Sequence, residues 1–118
     1  MRKLLIFDFD GVVVDSLDVY EGTVRSCLEK IGQHFIKTRA DFLALYEDNF
    51  YASLVNRGVD LDAFMAASID ILAQVNYADM KPYPELIPAL AKLQAENILV
   101  IVSSSDSADI QLILRRFH

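Results

Sequence analysis

The sequence predicts an α/β fold in which parallel strands alternate with helices. Three observations carry this expectation: a strand from Lys3 to Phe7 that is apolar from Leu4 onward, a second apolar run from Ile98 to Val102, and a long stretch between them with helical periodicity. Runs that stay apolar without alternating read as strands buried on both faces, and strands separated by helices imply a parallel sheet covered on both sides.

The first strand ends at Asp8-Phe9-Asp10-Gly11, where glycine lets the backbone turn tightly. Asp15 or Ser16 then caps a helix whose apolar positions Leu17, Tyr20, Val24, Cys27, Leu28 and Ile31 keep a 3.6-residue period until Gly32 stops it. A second amphipathic stretch carries Phe42, Leu45, Tyr46, Phe50 and Leu54, with a break near Asp48 and Asn49 and an end at Gly58. A third starts at Asp60 and lines up Leu61, Phe64, Met65, Ser68, Leu72 and Val75 along one side. The Tyr and Phe side chains of this block read as packing between helices.

Lys81-Pro82-Tyr83-Pro84 has the stiffness of a connector, because each proline fixes its own backbone and biases its predecessor toward extended forms. Glu85 to Glu96 is helical, with Leu86, Leu90 and Leu93 in register, and Asn97 precedes the second strand. Ser103-Ser104-Ser105 ends that strand, and Asp106 or Ser107 caps a last helix bearing Ile110, Ile113, Leu114 and Phe117. The expected organisation is a sheet-bearing core from residues 1–15 and 79–118, interrupted by helices over residues 16–78, with no internal repeat and no low-complexity tract.

Composition narrows the function classes. At 118 residues, 53% hydrophobic and 24% charged, the chain has the size and balance of one globular domain. Eleven basic against seventeen acidic residues give a net charge of -6, which disfavours nucleic acid and anionic membrane surfaces as partners. Asp8 ends the first apolar run well short of the roughly 7 to 15 residues of a signal-peptide core, so no secretion signal is expected. A single cysteine forms no intrachain disulfide, which fits a cytoplasmic setting, and Cys27 sits at helical spacing as a small core residue.

The chemistry concentrates at Asp8 and Asp10. A parallel strand carries its ligands at the carboxyl end, and side chains two apart on extended backbone point the same way. Adjacent like charges cost energy unless something cationic lies between them. A strand, an Asp-x-Asp-Gly sequence, the apolar Val12-Val13-Val14 and an Asp15-Ser16 helix start together resemble the first motif of the haloacid dehalogenase superfamily.

That resemblance implies a partial Rossmann-like core of parallel strands with an inserted α-helical cap, as in the subgroup with phosphoglycolate phosphatase and β-phosphoglucomutase. It implies a magnesium-dependent phosphatase acting on a small phosphorylated metabolite through an aspartyl phosphate. Asp8 matches the nucleophile and Asp10 the general acid and base. The resemblance further implies that Mg²⁺ is held by Asp8 and by the backbone carbonyl of Asp10. Gly11, Ser103 and the Ser104 N–H match the phosphate-binding positions, and Asp10 argues against carbon–halogen cleavage, since the dehalogenases do not keep it.

His34 and His118 are too isolated for a metal or Ser-His arrangement, and Asp106 reads as a cap. Lys37, Arg39, Arg57 and Lys81 read equally well as contacts for the distal part of a substrate or as solvated helix ends. The family's lysine or arginine motif and its later acid pair, both expected after Ser103, have no match. The expectation is therefore the amino-terminal portion of a longer hydrolase, or a chain whose core another chain completes, with little turnover alone. Two alternatives stand beside the phosphatase: a phosphomutase with the same chemistry, and a noncatalytic remnant or interaction module.

Overall fold

In the computed structural model, which describes residues 1–76, 79–103 and 107–115, ten elements follow in order. They are β1 (Leu4–Phe7), β2 (Val14–Asp15), α1 (Leu17–Lys30), α2 (Arg39–Ala44), α3 (Phe50–Asn56), α4 (Leu61–Ala73), β3 (Lys81–Pro82), α5 (Leu86–Glu96), β4 (Ile98–Ile101) and α6 (Ser107–Arg115). The chain divides into two compact units, Met1–Asp18 with Asn76–His118, and Val19–Val75.

In the first unit β1 pairs with β4 in parallel, Leu4 opposite Ile98 and Phe7 opposite Ile101. Backbone bonds extend the ladder at both ends, from the Ile98 N–H to the Lys3 carbonyl at 2.9 Å and from the Val102 N–H to the Phe7 carbonyl at 2.8 Å. Asn97 joins helix to strand. Its backbone and side-chain N–H groups both donate to the Leu93 carbonyl, closing α5, while its Oδ1 accepts from the Lys3 N–H at 3.2 Å.

The α/β class and the parallel pairing match the expectation, but the cover does not. Leu4, Ile6, Ile98 and Val100 are 58, 62, 51 and 37% exposed, whereas Leu5, Phe7, Leu99 and Ile101 are half-buried. Register explains the split: the exposed residues are cross-strand partners, Leu4 with Ile98 and Ile6 with Val100, so they share one face. Among the described residues that face has no layer over it.

The stiff Lys81–Pro82 segment is also more than a connector. It is β3, antiparallel to β2, with Val14 opposite Pro82 and Asp15 opposite Lys81. Proline is tolerated because the pair is a two-residue edge. The Tyr83 N–H then donates to the Val13 carbonyl at 3.3 Å, tying this segment to the loop after β1.

The helical unit has a core of Val24, Cys27, Leu28, Ile36, Phe42, Leu45, Leu54, Val59, Phe64 and Ala67. Its helices start on side-chain caps. Thr38 Oγ1 accepts from the Asp41 N–H at 3.2 Å, Asn49 Oδ1 from the Ala52 N–H at 3.0 Å, and Asp60 Oδ1 from the Asp62 and Ala63 N–H groups. The break expected near Asp48 and Asn49 is the join between α2 and α3. α3 closes at Gly58, at φ 80, with the Val59 N–H reaching back to the Leu54 carbonyl at 3.0 Å.

Phe42, Tyr46 and Phe50 pack ring to ring at 5.3 and 4.9 Å, and Phe50 meets Phe64 at 6.0 Å, so the aromatics pack between helices. Burial pushes the Cys27 thiol above its ordinary pKa, with Lys30 partly opposing, as suits an inert core residue. No described helix is long and apolar enough to cross a membrane.

Candidate functional site

The site is built by the loop from Phe9 to Val14, which folds back on itself directly after β1. The N–H groups of Val12, Val13 and Val14 converge on the Phe9 carbonyl at 3.3, 2.8 and 3.2 Å, and the Gly11 N–H donates to the Val14 carbonyl at 2.9 Å. Gly11 sits at φ 76, in the left-handed region where a Cβ is strained. Phe9, Val13 and Val14 are buried at 1, 2 and 0% exposure, so apolar side chains anchor the loop.

Burial alternates along the acidic segment: Asp8 exposed, Phe9 buried, Asp10 half-buried. Asp8 and Asp10 therefore flank the inward-facing Phe9. Asp8 Oδ1 accepts from the Phe9 N–H at 2.8 Å, and Asp10 Oδ1 accepts from the Ser16 hydroxyl at 2.9 Å. The Ser16 bond was not anticipated, since Ser16 reads in the sequence as a helix cap. Its 2% exposure marks it as a structural partner of the acid. A hydroxyl six positions after an acid, beyond a glycine turn, is the signal that could have found it.

Parallel pairing brings the carboxyl ends of β1 and β4 to one edge. Neighbouring strands lie about 4.8 Å apart, and the Val102 N–H binds the Phe7 carbonyl. Asp8 thus follows on β1 where Val102 follows on β4, with the half-buried Ser103 next. Ser104, Asp106 and His118 lie outside the described residues.

The other candidates divide between the two units. Lys37 belongs to the helical unit, where its backbone N–H binds Asp41. Arg39 donates to Glu21 at 2.7 Å, and Arg57 lies 5.9 Å over the Phe35 ring. Lys81 is exposed on β3, and His34 is exposed.

Among the described residues, no group of three or more His, Cys, Asp and Glu side chains is arranged to hold a metal. An all-oxygen set of one or two carboxylates with a backbone carbonyl nonetheless fits Mg²⁺, which keeps several waters when bound.

Comparison with known proteins follows the same lines. The chain is similar in structure to a candidate phosphoglycolate phosphatase from Lactobacillus plantarum, at 23% identity and TM-score 0.74, covering 97% of this chain and 55% of that one. A candidate haloacid dehalogenase-like hydrolase from Bacteroides fragilis gives 22% identity and TM-score 0.79, covering 98% of this chain and 57% of that one. A candidate β-phosphoglucomutase from Thermotoga maritima gives 20% identity and TM-score 0.66, covering 98% and 56%. The chain thus spans a little over half the length of these structures, and the likeness is one of fold. No curated protein sequence matches it. A sequence profile of haloacid dehalogenase-like hydrolases does match, over residues 2–118, and with the acidic loop and parallel strands described above the chain belongs to that family.

Proposed function

We propose that this chain carries the nucleophile, the acid/base and part of the phosphate site of a phosphatase acting on a small phosphorylated metabolite. The observation that carries the reading is the parallel pairing of β1 with β4, which sets Asp8 and Ser103 at the ends of adjacent strands. In this reading the Asp8 carboxylate attacks phosphorus while the P–O bond to the leaving group breaks, and Asp10 gives that oxygen its proton. Asp10 then takes a proton from water as the water attacks the aspartyl phosphate, which frees phosphate and restores Asp8. Ser103 and the Ser104 N–H hold non-transferred oxygens, and Gly11 supplies the turn that brings the loop close.

Bound Mg²⁺, held by Asp8 and the Asp10 carbonyl, would screen the repulsion between carboxylate and phosphate. The role proposed for the helices over residues 16–78 is that of a cap that admits substrate and excludes water. The proposed setting is cytoplasmic, where an isolated thiol stays reduced. An alcohol in place of water as acceptor makes the same chemistry a phosphomutase.

Titration of the 118-residue chain with Mg²⁺, followed by amide NMR, tests the assignment without requiring turnover. Amides of residues 8–11 are expected to shift, and Asp8→Asn to abolish the shifts. Unmoved amides there, or shifts that survive Asp8→Asn, would reject the site. In any form that hydrolyses small phosphomonoesters, Asp8→Asn abolishes turnover and Asp10→Asn lowers it by about 10² to 10⁴.

A second reading is an interaction module that binds another chain through its open sheet. The exposed apolar pairs Leu4 with Ile98 and Ile6 with Val100 favour it. Sedimentation at micromolar concentration decides: a self-associating species made monomeric by Ile6→Lys supports the module, and a monomer at all concentrations removes self-assembly.

A further inference from the structure

The helical unit holds a cavity of about 240 Å³ whose walls include Arg25, Glu29, His34 and Lys37 over the buried Leu28 and Ile36. Its charge runs against that of the chain, which is net -6. Two cationic side chains and an imidazole face one carboxylate, Glu29.

Nearby acids are already engaged. Glu21 is shared by two guanidiniums, Arg25 at 3.1 Å and Arg39 at 2.7 Å. The Asp41 carboxylate accepts the backbone N–H groups of Lys37 and Thr38 at 2.8 and 2.9 Å, and these two bonds hold its pKa below the ordinary value. Donors are left over. Arg25 Nε is shut off from solvent without a hydrogen-bond partner, and no ion pair among the described residues involves the Lys37 ammonium or the His34 ring.

One unpaired N–H is uncommon, while the rest of the Arg25 side chain is 38% exposed and reaches Glu21. Guanidinium and ammonium groups together suit oxyanions, the guanidinium by its planar fork and the ammonium as a point charge. The volume lies below the roughly 300 to 1,000 Å³ of drug-sized ligand sites and has room for a phosphate or a short phosphomonoester.

We propose that this cavity of the helical unit is an anion site that binds a phosphate-class oxyanion through Arg25, Lys37 and His34. Inorganic phosphate and a short phosphomonoester share the chemistry, and each serves as a probe. The proposal stands whether or not Asp8 is a nucleophile, because every residue it invokes belongs to residues 19–75.

The test is amide NMR of the 118-residue chain, titrated without divalent cation with inorganic phosphate, with glycerol phosphate, and with chloride at matched ionic strength. Saturable shifts confined to residues 25–37 are expected with one or both phosphates and not with chloride. Lys37→Gln should weaken binding about fivefold, the value of one charge contact at 4 Å in water, while Lys92→Gln leaves it unchanged. Equal shifts with chloride, no saturation, shifts only at residues 8–11, or an unchanged affinity in Lys37→Gln would each overturn the proposal. Lys37 is exposed, so its replacement tests binding without the packing loss expected at Arg25.

Discussion

The Ser16 hydroxyl donates a 2.9 Å hydrogen bond to Oδ1 of Asp10, from a position that is itself 2% exposed. The bond links the last residue before α1 to the acid at the head of the loop. Hydrogen bonds to charged groups contribute about 1.5 to 3 kcal/mol. Ser16→Ala is expected to lower stability by about that amount in urea unfolding, and Ser16→Thr to keep most of it. Equal midpoints for Ser16→Ala and the parent chain would show that the bond does not hold the loop.

Two glycines should respond to alanine with opposite signs. Gly11 lies at φ 76 and Gly22 lies within α1, and neither has an atom within 4 Å of an added Cβ. Backbone conformation alone therefore decides the outcome. Gly11→Ala is expected to cost about 1 to 2 kcal/mol, and Gly22→Ala to stabilise by about 0.5 to 1 kcal/mol. Thermal melts of the two variants check the contrast.

Asp41 should titrate abnormally. Backbone bonds from Lys37 and Thr38 favour its charged form and lower its folded-state pKa. A depressed carboxylate contributes stability that is complete above its unfolded pKa and is lost as pH falls through the folded one. The start of α2 should therefore hold below pH 4 and loosen only on further acidification. Carboxyl-detected NMR of Asp41 gives the midpoint. A midpoint at the ordinary value of about 3.9 would contradict the capping geometry.

The core makes a sharper demand than the surface. Leu54 is 0% exposed and Ile69 is 72% exposed, on neighbouring helices α3 and α4. Leu54→Ala is expected to cost about 2 to 5 kcal/mol, whereas Ile69→Ala should stay within about 0.5 kcal/mol. Urea midpoints of the pair measure the difference.

What the sequence made legible was whatever depends on near neighbours. Asp60 sits at the start of an amphipathic run and caps it, the break expected near Asn49 is where α3 starts, and Gly58 ends a helix at φ 80. The acidic loop was legible because Asp8, Asp10 and Gly11 follow directly on an apolar strand. Thr38 with Asp41, a capping box that starts α2 ahead of its first buried residue Phe42, was missed because the shorter aspartate stands where glutamate or glutamine marks the usual pattern. The β2 with β3 pair was hidden because two residues show no periodicity. The function of Ser16 was hidden because a serine before a helix already has a sufficient local explanation. The bare sheet face was hidden because an apolar strand looks the same whether or not a layer covers it.

One partnership spans almost the whole of this sequence. The Lys3 N–H finds its acceptor on Asn97, 94 residues downstream, and β1 has no described partner other than β4. At about 5 to 20 residues per second of synthesis, the strand that precedes Asp8 waits roughly 5 to 20 s on the ribosome for its mate. Residues 19–75 contain a core of their own and emerge during that interval. The helices over residues 19–75 can therefore pack before residues 98–101 emerge to pair with the strand that precedes the acidic loop.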